Sequence, residues 1–107
     1  MDLNTHQKWL ADFYHQRGWD QYSAQIGINF MTEEVGELSR AVRTLEIGRD
    51  HPGEHHATET EMVANLHEEL GDVLDQVLFC ASKYGVSADD LLSGSEQKLT
   101  KRFEGRD

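Results

Sequence analysis

The chain has 107 residues, enough for one domain, and its 37% hydrophobic and 28% charged residues exclude wholesale disorder. Twenty acidic against ten basic residues give a formal charge of −10, a field that repels polyanions and excludes a nucleic acid polymer as partner. No apolar run approaches the roughly 18 residues of a membrane helix, which excludes a membrane partner. Met1-Asp2-Leu3-Asn4-Thr5-His6 lacks the basic and apolar regions of a secretory signal, and the single cysteine, Cys80, allows no internal disulfide. Both point to the cytoplasm. A small phosphorylated molecule stays compatible with the charge, because bound cations invert a local field.

Helical spacing dominates the chain, and no alternating run is long enough to suggest a sheet. The first segment, about Thr5 to Arg17, places Trp9, Leu10, Phe13 and Tyr14 on one face, with Thr5 as N-cap and Gly18 as terminator. The second, about Ser23 to Glu46, carries Ala24, Ile28, Met31, Val35, Leu38, Val42 and Leu45 in steps of four and three. Such a stripe suits a helix packed lengthwise in a bundle, and Gly48 closes it. From Gly48 to about Thr60 the chain is polar, without large apolar side chains, and reads as a mobile loop. His51, His55 and His56 crowd there, but a loop offers no rigid frame for a metal site.

The third segment, about Glu61 to Tyr84, repeats the pattern through Val63, Leu66, Leu70, Val73, Val77, Cys80 and Tyr84, and Gly85 ends it. Cys80 falls on the stripe as a small core residue. Ser87 and Asp90 resemble a capping box that opens a fourth helix through Leu91, Leu92, Leu99 and Phe103. The expected fold is therefore all-α: an antiparallel bundle of about four helices in a single domain over 1–107, interrupted by the polar loop at about 48–60. Striped helices in so short a chain call for completion by oligomerisation, as a homodimer or a homotetramer built as a dimer of dimers.

Two carboxylate pairs depart from an ordinary acidic surface. Residues three apart project from nearly one side of a helix, so Glu34/Glu37 and Glu69/Asp72 each form a close pair. Glu69 falls beside Leu66 and Val73 at the edge of its stripe, and Glu34 borders Leu38. If the stripes face each other, four carboxylates converge. Unit charges about 4–5 Å apart repel by a few kcal/mol even at an effective dielectric near 20. Raised pKa values or a bound cation relieve that repulsion. Oxygen ligands without His or Cys select a hard ion, magnesium or manganese. No Glu has a His three residues later, as a di-iron bundle would require. The plain alternative is a solvated acidic face.

These residues resemble the MazG-like nucleoside triphosphate pyrophosphohydrolases of the all-α NTP pyrophosphatase superfamily. The family pattern E-E-x-x-E, a spacer, then E-x-x-D is matched by Glu33-Glu34-Val35-Gly36-Glu37 and Glu69-Leu70-Gly71-Asp72. Arg17-Gly18-Trp19-Asp20 also looks like the family. The resemblance implies that Glu34, Glu37, Glu69 and Asp72 are magnesium ligands, and that Glu33 or a metal-poised carboxylate handles the attacking water. It implies cleavage between the α- and β-phosphates of a small nucleotide, giving a nucleoside monophosphate and pyrophosphate, and a purpose in clearing unwanted or modified nucleotides.

Lys98, Lys101, Arg102 and Arg106 gather near the C-terminus, where cations suit a helix end. By resemblance, the last helix contacts phosphate. Many relatives carry Asn two residues before the matching lysine, whereas this chain has Glu96, a departure at the position implied to contact base and phosphate. Trp19 is a candidate for stacking on a nucleobase and equally for capping the bundle. His6 and His15 carry no signal of their own. The competing reading is a non-catalytic dimerisation or nucleotide- and metal-sensing module; the Glu96 departure fits it, and the complete carboxylate set argues against it.

Overall fold

A computed structural model describes residues 1–48, 52–53 and 56–105 of the chain. Helix α1 spans Leu3–Arg17 and is opened by Asp2, whose carboxylate accepts the Thr5 N–H at 2.7 Å. The N-cap is thus Asp2 and not the expected Thr5, because the acidic side chain satisfies the free amide at a more N-terminal position. Gly18, at φ 74, ends the helix with its N–H on the carbonyls of Tyr14 and His15. A 3₁₀ turn, Trp19–Gln21, leads into α2, Ala24–Ile47. Gly48, at φ 76, closes α2 by donating to the Thr44 carbonyl.

Helix α3, Glu59–Lys83, opens on a complete capping box: Thr58 Oγ1 accepts the Glu61 N–H, and Glu61 Oε1 accepts the Thr58 N–H. Thr58-Glu59-Thr60-Glu61 is the Thr-x-x-Glu signature of that device. The expected Ser87 cap is present, its hydroxyl accepting the Asp90 N–H ahead of α4, Ala88–Arg102. Among the described residues there is no strand, and the fold is all-α. No helix among them is long and apolar enough to cross a membrane. His51, His55 and Arg106 lie outside the described residues; His56 is exposed and precedes α3.

The chain divides into two compact units. One joins Met1–Ala24 with Leu78–Asp107. Its core is Leu10, Leu78 and Ala88, with Leu3 and Tyr14 packed against them. The buried side chain of Gln7 ties its pieces together. Gln7 Nε2 donates to the carbonyls of Val86 at 2.9 Å and Leu78 at 3.4 Å and to Ser82 Oγ at 3.2 Å. Its Oε1 accepts the Ala88 N–H at 2.9 Å. One amide therefore links α1, the end of α3 and the start of α4. Trp9 does not share the buried face of Leu10: it is 56% exposed, stacked between His6 and Phe13 on the surface of α1.

The other unit, Gln25–Val77, holds most of α2 and α3. Its better-buried positions on α2 include Gly27, Met31, Glu34, Leu38, Ala41 and Leu45, in steps of four and three, with Thr44 beside the last. On α3 they include Met62, Leu66, Glu69, Val73 and Gln76, with the same spacing, and Asp75 beside the last. Both seams differ from the stripes expected from hydrophobicity. Ile28, Val35 and Val42, and Val63, Leu70 and Val77, are all substantially exposed. Tyr84 and, on α4, Leu91, Leu92, Leu99 and Phe103 are exposed as well. Apolar side chains outnumber the positions that one chain can cover, so each stripe splits between a covered row and an open one.

Candidate metal centre

The shifted seams draw two carboxylates into the half-buried rows. Glu34 takes a buried-row position on α2 between Met31 and Leu38, and Glu69 takes the corresponding one on α3 between Leu66 and Val73. Glu34, Glu37 and Glu69 each bring a carboxylate oxygen within 4.8 Å of the others. Asp72 lies outside that trio but hydrogen-bonds to Glu34, as Glu37 does to Glu69. Three residues forward on α2 thus correspond to three residues back on α3. The two helices run antiparallel with the acidic pairs in register.

The electrostatics follow from that geometry. Burial, then the charges of Glu37 and Asp72, the hydrogen bond with Asp72 and the charge of Glu33 raise the Glu34 carboxyl above its ordinary value. Burial, then the hydrogen bond and charge of Glu37, and the charges of Asp72 and Glu34 do the same to Glu69. One oxygen of each, Glu34 Oε2 and Glu69 Oε2, is buried without a hydrogen-bond partner. A buried polar atom left unpaired is costly, and here two such atoms belong to acidic groups that already repel one another. An all-oxygen donor set with two orphaned lone-pair sites fits a hard divalent cation. Gly36 and Gly71 are not demanded by the chain's own packing, because an added Cβ would meet nothing within 4 Å at either position.

Glu33 is exposed on α2. Trp19 and the α4 cations belong to the unit without the acidic cluster. The Trp19 ring is 42% exposed and edge-on to Phe13 and Tyr14. Lys98, Lys101 and Arg102 are exposed on α4, and Lys101 shares a surface depression with Glu96, Thr100 and Phe103.

The raised carboxyls fix the sign of a pH effect. Between the ordinary glutamate value of 4.5 and the raised ones, the folded chain binds more protons than the unfolded chain. Stability of the metal-free protein should therefore fall as pH rises through that window. Melting temperatures in EDTA should show this decline, and it should be shallower in Glu34→Gln. Equal slopes in the two proteins would remove these groups as its cause.

Residues 23–106 match the MazG nucleotide pyrophosphohydrolase domain, and the cluster lies inside that span. The chain belongs to the MazG family. It is also similar to a Bacillus subtilis (strain 168) protein described as the uncharacterized protein YvdC. The two are 46% identical over 104 residues, covering 97% of this chain and 98% of that protein. No solved structure matches the chain. Order and spacing in the sequence single out Glu34, Glu37 and Glu69, which the fold brings together. They do not show that Glu34 and Glu69 enter the half-buried seam, because a hydrophobicity plot counts a carboxylate as an outside residue.

Proposed function

We propose that the chain is a magnesium-dependent nucleotide pyrophosphohydrolase that also accepts manganese, cleaving nucleoside triphosphates to nucleoside monophosphate and pyrophosphate and so clearing unwanted or modified nucleotides. The observation that carries this reading is the convergence of half-buried Glu34 and Glu69 with exposed Glu37, with an orphaned buried oxygen on the first two, in a MazG-family chain. Glu34, Glu37, Glu69 and Asp72 would hold the metal. When bound, the ion offsets triphosphate charge, lowers the pKa of water and stabilises the leaving pyrophosphate. Glu33, exposed beside the cluster, orients the attacking water and accepts its proton, assisted by Glu34 and Glu37. Trp19 stacks on the base, and Lys98, Lys101 and Arg102 meet phosphate oxygens.

The working form is a homodimer or homotetramer in the cytoplasm. The exposed row Val35, Val42, Leu70, Leu74 and Val77 supplies apolar surface for a second copy. The decisive experiment measures pyrophosphate release from a panel of canonical and modified nucleoside triphosphates, in magnesium and in EDTA. Release from at least one substrate, abolished by EDTA, is the expected result. No release from any of them, with a melting temperature unmoved by magnesium, would overturn the reading.

A further inference from the structure

The 3₁₀ turn that carries Trp19 is held by a small set of contacts. Gly18, in the left-handed region at φ 74, turns the chain out of α1 and forms its hinge. On one side His15 Nδ1 lies 2.6 Å from Asp20 Oδ2. On the other, the Lys83 ammonium donates to the Asp20 backbone carbonyl while lying 5.4 Å from the Phe79 ring centre. The Trp19 ring centre is 5.9 Å from that of Phe13 and 5.3 Å from that of Tyr14, both near edge-on. The Arg17 guanidinium lies 5.9 Å from the Trp19 ring.

We infer that His15 and Asp20 are positioning residues that form a pH-operated latch on this turn, docking Trp19 when the imidazole is charged and loosening it when the imidazole is neutral. The latch stands on the contacts within the unit; only its bearing on nucleotide affinity rests on Trp19 as the base platform. The groups facing it are few. Asp20 from the turn and Asp12 from α1 both favour the His15 cation, and Lys83 from α3 adds a positive charge beside Asp20. Hydrogen bonding to Asp20, then its charge, raises His15 above 6.5, and the same bond lowers Asp20 below 3.8. His15 therefore holds its contribution fully below 6.5 and loses it as pH rises through the raised value. Asp20 holds its contribution above 3.8 and loses it as pH falls through the lowered value. The latch is closed between these limits. Because both side chains are well exposed, it biases the turn by no more than about fivefold.

NMR on the unmodified protein tests this directly. The His15 imidazole and the Trp19 indole N–H are followed from pH 5 to 9, with exchange of the Tyr22 amide, which donates to the Trp19 carbonyl, corrected for its intrinsic pH dependence. The indole resonance should move with the His15 midpoint, since ring currents from Phe13 and Tyr14 report its docking. Tyr22 protection should fall by up to about fivefold above that midpoint. In Asp20→Asn the His15 midpoint should drop and both steps should vanish. A flat indole resonance, or one that still follows His15 in Asp20→Asn, overturns the latch. A KM for nucleotide that rises across the same midpoint, with kcat unchanged, would tie the latch to substrate. Intact NMR steps in a protein that hydrolyses no nucleotide would leave the latch standing and remove only that tie.

Discussion

Glu69→Gln should melt at a higher temperature than the wild-type protein in EDTA, yet lose magnesium-dependent pyrophosphate release by at least about 100-fold. The two effects come from one cause. Glu69 sits in the half-buried row of α3, with Glu37, Asp72 and Glu34 all opposing its charge and one oxygen buried and unpartnered. An amide of the same shape removes the repulsion and can donate to the Glu37 carboxylate, so the metal-free fold gains. Each kcal/mol gained moves the melting temperature of a domain near this size by about 4–8 °C. The same amide is a poor ligand for a hard cation, so the site loses affinity and the magnesium-induced rise in melting temperature should shrink. Glu34→Gln should behave alike, because Glu34 faces Asp72 as Glu69 faces Glu37. Opposite movement of stability and activity marks a residue kept for chemistry at the expense of the fold. A variant that melts lower and loses activity would instead make Glu69 a structural carboxylate.

Gln7→Leu should destabilise the chain by about 3 kcal/mol or more, a large part of the 5–15 kcal/mol that holds a typical domain. The substitution conserves volume and apolar contact with the Leu10 neighbourhood, so a cavity cannot account for the loss. What it removes is the amide that serves Val86, Leu78, Ser82 and Ala88 together. The Val86 carbonyl and the Ala88 N–H would lose their Gln7 partner at the junction of three helices, and each unsatisfied buried group costs about 1–3 kcal/mol. Gln7→Glu should be at least as harmful, since a carboxylate cannot donate to the carbonyls that the amide now serves. Urea unfolding gives the measurement. A loss under about 1 kcal/mol for Gln7→Leu would show that water replaces the amide and that the hub is dispensable.

The helices and most of their ends were legible because their signals are local. Gly18, Gly48 and Gly85 all sit at positive φ, and Ser87 caps as its spacing suggests. Asp2 and Thr58 were missed for equally local reasons: competing cap residues stood nearby, and the Thr-x-x-Glu box was passed over in a polar run. Order and spacing singled out Glu33, Glu34, Glu37, Glu69 and Asp72, of which Glu34, Glu37 and Glu69 bring carboxylate oxygens together. Which face turns inward was not legible. Hydropathy favours Val35 and Leu70 over Glu34 and Glu69, and only the register between α2 and α3 reverses that preference. Gln7 was invisible for the same reason, since its partners, mostly backbone groups, lie more than seventy residues away.

The ends of the α2–α3 hairpin are finished by their own residues. Gly48 terminates one helix, and the Thr58/Glu61 box restarts the other. The alignment that brings Glu34 to Asp72 and Glu37 to Glu69 is encoded in the facing seams, so the connector need only be long enough to span the gap. Shortening or lengthening that connector should therefore leave the magnesium-induced rise in melting temperature in place, and loss of that rise would show that the connector sets the register.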